Sequence, residues 1–523
     1  MRLSNRSNET GSEEHKRDDS VIVDYGFGQV SDENAVHGRE FASGESMYAR
    51  LQRFAGKFGM EQRGIERVPS DERTDSNLFQ IGTLWFSANM VVSSFAIGAL
   101  GPPVFELGFV DAALTIILVN ILGILPVCFF STFGPKFGLR QMVLSRFWFG
   151  YYGVKLIAIF NILACLGWSA VNVIVGAQFF NAVNGDVPGW AGILVIAFAT
   201  LAICTFGYKI VHAYEKWSWI PVLIIFIIVL GVFAHSGEFN NLLPLATGIS
   251  ETGSVLSFAA SVYGFATGWT SYAADYTVYQ PVGRSSKAVF WWTFGGLFTS
   301  LCFTELLGAA IATAMTNNQA YLDAYNNSHI GGLLAQVLVP KLGRFGEFCV
   351  VMLGLSIIGN NCPNIYSVSL SLQVLSEKTQ RVPRFVWTLV GTGVYIAVAI
   401  PGYNDFEDTL ETFMLIIGYW LAIYEGISLT EHFVFRRGRT DRYHPEDYVE
   451  PKKLPPGLAA IVAFCFGVMG VVLGMAQTWF IGPIGKLCGA EGYGGDIGFE
   501  LAFSFSAVSY VALRAAEFAY FRR

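Results

Sequence analysis

Apolar residues run along this chain in twelve blocks, at 78–104, 109–132, 154–182, 188–207, 217–235, 254–280, 288–315, 345–374, 385–401, 410–434, 457–477 and 497–513. Each is near the ~20 residues a helix needs to cross ~30 Å of hydrocarbon. Lipid offers no water to satisfy an open backbone, so a chain of this pattern crosses as helices. The pattern predicts an all-α polytopic membrane protein with twelve transmembrane helices. Two blocks are interrupted. The sixth carries Gly264-Phe-Ala-Thr-Gly268-Trp269-Thr-Ser-Tyr-Ala-Ala-Asp275-Tyr276, and the first runs from Trp85 to Pro103 through serines and glycines. A break in lipid is tolerated only where protein or a cavity surrounds it, and discontinuous helices mark the substrate sites of secondary transporters. Glycine-rich packing faces between helices are the other reading. The interrupted blocks lie five spans apart, as expected for a five-plus-five inverted repeat with the last two helices outside it.

The stretch before the first block is a different material. Residues 1–77 read as a cytoplasmic tail, polar and charged over 1–46 with little to bury, so disorder is expected there. The segment 47–66 interleaves Leu51, Phe54, Phe58 and Ile65 with Arg50, Arg53, Lys57 and Arg63. It reads either as an amphipathic helix on the inner membrane face or as a helix packed under the bundle. No basic start with an apolar core and small-residue cleavage site is present, so no signal peptide is expected. The transporter domain is placed at 78–513 and a short cytoplasmic tail at 514–523.

Composition agrees with the pattern, at 53% hydrophobic and 14% charged residues. With the N-terminus inside, the inner loops hold sixteen lysines and arginines and the outer loops only Lys341, Arg344 and Lys486. That bias puts both termini in the cytoplasm. The net charge of −6 is spread over tails and loops and points to no nucleic-acid partner. The eight cysteines show no paired spacing and the seven histidines no ligand pattern, so neither disulfides, metal nor another cofactor is expected. No nucleophile–base pair stands out, which argues against an enzyme.

Polar residues inside the spans carry the chemistry. Trp168 and Asn172 lie four apart and so share a helix face. A planar ring beside a carboxamide suits a flat heterocycle; a packed Trp with an Asn bonding its neighbour helix is the alternative. The eighth block holds Asn360-Asn361-Cys362-Pro363-Asn364, three carboxamides and a proline at mid-membrane depth. Polar groups there are costly, and the proline frees a carbonyl one turn earlier.

These residues together resemble the nucleobase–cation symporter family 1, and within it the fungal purine–cytosine permeases, over roughly residues 60–515. The likeness rests on Phe86-Ser-Ala-Asn89 with Phe95-Ala-Ile-Gly-Ala-Leu-Gly-Pro102, Gly138-Leu-Arg-Gln-Met-Val-Leu-Ser-Arg-Phe147 and Gly167-Trp-Ser-Ala-Val-Asn172. It rests further on Gly268-Trp269 through Asp275-Tyr276, Asn360 to Asn364, and Gly418-Tyr-Trp420 with Glu431-His432. The resemblance implies a base sandwiched between Trp168 and Trp269 and read by Asn172 and Asn364, with Asn361 competing for the last role. It implies that Ser93 and Ser94 line the same cavity and that Gly268 lets the ligand approach backbone. Cytosine, adenine and hypoxanthine are the implied substrates and the plasma membrane the implied location. The physics agrees: aromatic faces stack on any base, and Asn offers an acceptor and two donors to a base edge.

The resemblance also implies proton symport, for which intramembrane acids are the natural carriers. Asp275, Glu305 and Glu425 are the candidates, each equally readable as a structural acid. Sodium coupling in a bacterial relative uses hydroxylated residues a turn before the substrate Asn. Counting from Asn364 those positions are Ile358 and Gly359, which offer no side-chain oxygen; counting from Asn361, Ser356 qualifies. A vitamin B6-type pyridine or another substrate of the wider family, and a base sensor without net transport, are the alternatives.

Overall fold

The computed structural model describes residues 63–206, 208–241, 247–404 and 406–522. Of the expected tail, residues 1–62, including most of the amphipathic segment, lie outside the described residues, whereas 63–77 are described and bury Val68 and Arg73. Of the amphipathic segment, residues 63–66 are described, and Ile65 is buried in the apolar core.

Fifteen helices carry the architecture. They are α1 (Leu78–Asn89), α2 (Val92–Ala99), α3 (Phe109–Ser131), α4 (Arg146–Val183), α5 (Gly189–Phe206), α6 (Tyr208–Trp217), α7 (Trp219–Ser236) and α8 (Ile249–Thr267). They continue as α9 (Ser286–Ala312), α10 (Gln319–Leu342), α11 (Arg344–Leu375), α12 (Arg384–Ala399), α13 (Phe406–Thr430), α14 (Leu458–Gly474) and α15 (Gly498–Phe521). Among the described residues eight helices are long and apolar enough to span a bilayer, nine if α1 and the segment Val92–Phe105, bent by 55°, are one span. The expected sixth, ninth and eleventh spans fall short for different reasons. The sixth breaks into polar residues after Thr267, while α12 and α14 have 16 and 17 residues.

Both predicted breaks are present. Helix α1 closes on a bond from the Met90 amide to the Phe86 carbonyl at 2.8 Å, and Val91 is extended before α2 begins. Helix α8 ends at Thr267, and after Gly268 and Trp269 a 3₁₀ segment, Thr270–Tyr276, continues it with a non-helical Tyr272. Around these breaks α4 packs along α11, α9 along α1 and α2, and α3 along α8 and α9. The α2–α9 crossing is tight: a Cβ on Gly98 would meet the Glu305 carbonyl, and one on Gly308 the Phe95 carbonyl. Small residues that let backbones approach are how helices gain contact when lipid is as apolar as their own side chains.

The last helix differs from the sequence expectation. It runs to Phe521, eight residues beyond the predicted end of the span, so 514–521 is not a tail. The reason is a buried ion network. Arg514 bonds Glu431 at 3.2 Å and Glu517 at 2.8 Å, and Glu517 also accepts from the Ala459 amide at 3.1 Å. Two segments read as loops are also ordered: α6, which from Ile210 counts with α7 as one span, and a hairpin, β1 (Ala476–Gln477) with β2 (Phe480–Ile481), between α14 and α15.

Candidate functional site

The two breaks meet where Trp269 bonds Asn89, and the second break forms with α4 and α11 a chamber lined by Trp168, Phe265, Gly268, Trp269, Tyr272, Asn360 and Asn364. The space inside is about 10 Å³, enough for about one water. A planar ring enters only if the tryptophans part. The aromatic walls are set edge-on. Trp168 meets Phe265 at 5.1 Å and Phe413 at 5.5 Å, and Trp269 meets Trp85 at 5.6 Å and Tyr272 at 5.7 Å.

A continuous ladder of carboxamides joins the four helices. Ser93 Oγ donates to Asn172 Oδ1 at 2.6 Å, Asn172 Nδ2 to Asn360 Oδ1 at 2.8 Å, and Asn360 Nδ2 to the Ala88 carbonyl at 2.6 Å. The last acceptor lies at the C-terminal end of α1, where the break leaves carbonyls without helical partners. Trp269 Nε1 donates to Asn89 Oδ1 at 3.1 Å, and Tyr272 OH to Asn364 Oδ1 at 2.8 Å. In a site without bulk water an unpaired member costs about 1–3 kcal/mol, which locks the register of the breaks. A ligand edge has to exchange for bonds within this ladder.

The structure brings together Trp168, Asn172, Gly268, Trp269, Asn364 and Ser93. Ser94 is fully buried beside them, but its hydroxyl makes no hydrogen bond among the described residues. At Gly268 a Cβ would crowd the Phe265 carbonyl at 3.1 Å and touch Trp168 Nε1 at an ordinary 3.5 Å, so the glycine eases the turn at the end of α8. Asn361 is the correction. It turns away from the chamber and donates to Thr200 of α5 at 3.4 Å, because neighbours in a helix point about 100° apart. Asn360, absent from the predicted set, takes the place in the ladder.

The three predicted coupling acids all have partners. Asp275 accepts from the Gln141 amide at 2.7 Å, Glu305 from Asn120 at 2.6 Å, and Glu425 from Tyr263 at 2.7 Å and from Thr267. Glu425 thereby braces the end of α8 at its break. A fourth acid escaped the sequence reading. Glu215 on α6 is fully buried, and neither carboxylate oxygen makes a hydrogen bond among the described residues. A Cβ on Gly359 of α11 would lie 3.6 Å from both oxygens, so the carboxylate faces the backbone one residue before Asn360. The Ser87 hydroxyl lies beside it and shares a 2.9 Å hydrogen bond with Ser218 in which either oxygen can donate, so Ser87 is the group placed to donate to this carboxylate. Val211, His212 and Glu215 form one buried face of α6, a helical spacing that was readable within the run of charges. No cluster of metal-ligating side chains occurs among the described residues.

Residues 67–482 match the family described as permease for cytosine/purines, uracil, thiamine, allantoin. The chain belongs to that permease family. Among its relatives, the purine-cytosine permease fcyB of Emericella nidulans is 58% identical over 494 residues, covering 94% of this chain and 96% of that one. The purine-cytosine permease FCY2 of Saccharomyces cerevisiae is 44% identical, covering 90% and 89%. Among solved structures, the inward-facing conformation of Mhp1 superposes with a TM-score of 0.65 at 13% identity, over 88% of this chain and 95% of that one. At that identity the likeness carries the fold alone. The permease is thus a multi-pass membrane transporter and not an enzyme.

Proposed function

We propose that this permease carries nucleobases, cytosine and the purines adenine and hypoxanthine, into the cell across the plasma membrane by alternating access, with both termini in the cytoplasm. The observation that carries the reading is the convergence of Trp168, Trp269, Asn360 and Asn364 on one chamber at the break after α8, with Asn172 bonded to Asn360 behind it. The purine-cytosine permeases at 58% and 44% identity support the same substrate class. In this reading the tryptophans stack on the ring and select flat ligands. Asn172 and Asn364 exchange their internal bonds for the base edge and choose among bases, since a mismatched edge leaves buried groups unpaired. Among the described residues no arginine or carboxylate lines the chamber, which suits a neutral ligand.

The coupling ion is a proton. Glu215 is the best-placed carrier, a buried acid with no hydrogen bond among the described residues, whose charge is tolerable only when neutralised. It lies between α1 and α11, the helices that bear Asn89 and Asn360, so its protonation state acts on the ladder. The test is competition for labelled cytosine uptake by adenine, hypoxanthine, uracil and pyridoxine in cells lacking other base transporters, at several external pH values and with sodium replaced. Competition by the purines, with uptake falling as pH rises and indifferent to sodium, is expected. Competition by pyridoxine alone reassigns the substrate to a vitamin B6-type pyridine, and binding without accumulation would make the protein a sensor.

A further inference from the structure

Two cavities on the wall of the bundle, which have no lining residue in common with the chamber, adjoin each other. The first, of about 300 Å³, lies at the end of α3 and the start of α9 and is lined by Thr132, Lys136, Ser286, Lys287 and Thr440 among aromatic rings. The second, of about 540 Å³, runs up the wall from there and is lined by Leu122, Leu125, Pro126, Leu429 and Phe503. Phe129, Phe290 and Phe433 belong to both. Phe129 and Phe433 lie 5.4 Å apart at the junction.

The chemistry of the two ends differs. Lys136 and Lys287 make no ion pair or hydrogen bond among the described residues, and no carboxylate lines their cavity, which is also edged by the exposed Trp291. The acids of the groove, Glu425 and Glu500, belong only to the second cavity, Glu500 in the first turn of α15 at its far end. A pair of unneutralised cations with hydroxyls beside them attracts a phosphate. An apolar channel leading from it into the bilayer wall suits an acyl chain. By the loop charges the lysine end faces the cytoplasmic leaflet, where anionic lipids are concentrated.

We propose that this wall holds one anionic phospholipid of the inner leaflet, its phosphate between Lys136 and Lys287 and an acyl chain along the Leu122–Leu125 groove. The lipid has a route to the transport machinery. Tyr263 and Glu425 line the groove and bond each other at 2.7 Å, and Glu425 also accepts from Thr267 at the break of α8. An occupied groove therefore packs against the brace of the broken helix and favours one arrangement of it.

The test uses the full chain, purified and reconstituted in vesicles of phosphatidylcholine alone or equimolar with phosphatidylserine, with bound lipid counted by native mass spectrometry. Wild type is expected to retain phosphatidylserine in preference to phosphatidylcholine, and each of Lys136→Gln and Lys287→Gln to weaken that retention by roughly fivefold. Leu125→Trp, which fills the groove, is expected to abolish retention of both lipids. Lys287 is exposed, so Lys287→Gln tests the head-group contact even if Lys136→Gln fails to fold. Equal retention of the two lipids by wild type, undiminished phosphatidylserine in Lys287→Gln, or bound lipid in a folded Leu125→Trp would each overturn the proposal.

Discussion

Trp168→Ala is the cleanest probe of the chamber. Trp168 makes no hydrogen bond among the described residues; it meets Phe265 and Phe413 edge-on and is 5% exposed. Truncation therefore removes a stacking face without orphaning a polar group, unlike Trp269, whose indole nitrogen holds Asn89 at 3.1 Å. Stacking on a base is worth roughly 1–3 kcal/mol, which corresponds to a half-saturation concentration raised about 5- to 150-fold. Because every base has a π-face, the loss falls on cytosine, adenine and hypoxanthine alike, and their order of preference is kept. Trp168→Phe restores most of the affinity. Removing the indole also breaks its edge-on pairings with Phe265 and Phe413, at a cost of roughly 1–3 kcal/mol in total, so sorting has to be checked. The assay is concentration-dependent uptake of labelled cytosine, with surface protein quantified by a fluorescent tag. Unchanged half-saturation in a correctly sorted alanine variant refutes the stacking argument. A reordered substrate preference refutes the division between ring and edge recognition.

Asn172→Ala leaves the Ser93 hydroxyl and Asn360 Oδ1 short of a partner, and Asn364→Ala does the same to Tyr272 OH, so each is expected to weaken uptake affinity by about 1–3 kcal/mol. Asn→Ser at either position is expected to change the ranking of cytosine against purines in competition uptake; uniform scaling would assign these residues to gating. Glu215→Gln keeps the shape but not the titration, and is expected to exchange labelled base across the membrane while no longer concentrating it. Retained accumulation that a protonophore still collapses would return the role to Asp275, Glu305 or Glu425. Outside the spans, burial raises Asp496 from 3.8 to about 6, against bonds from Tyr419 and the Ala476 and Gly498 amides that favour its charge. A raised acid binds protons more readily in the folded state, so its contribution is full below pH ~4 and lost as pH rises through ~6. Asp496→Asn is expected to flatten that part of the thermal-midpoint profile, and an unchanged slope would count against it.

Much of the architecture was legible in one dimension because the bilayer is a demanding solvent. The runs that became α3, α4 and α9 are apolar over the length a membrane requires, and their ends fell within a few residues of those predicted, except where α4 begins earlier across a kink at Gly150. That the stretches Trp85–Pro103 and Gly264–Tyr276 are interrupted was visible because lipid does not forgive an open backbone, whereas the exact break at Met90–Val91 came from the fold. Placing Trp168 and Asn172 one turn apart on the same helix needed only the 3.6-residue period.

Rotation and pairing were left to the fold. Asn360, Asn361 and Asn364 are alike in composition, and only the packing of α11 between α4 and α5 turned Asn361 to Thr200 and Asn360 to the ladder. Charge misled in the same way at both ends of the bundle. Glu215 lies among His212, Lys209 and Lys216 and reads as a solvated loop, yet α6 folds against α1 and buries it. Arg514 and Glu517 read as a tail, yet Glu431, some 80 residues earlier, meets Arg514 inside the protein and completes the network. Hydrophobicity is a property of each residue and survives in the sequence. The cost of a charge depends on which distant residue comes to meet it, and that is settled only when the helices pack.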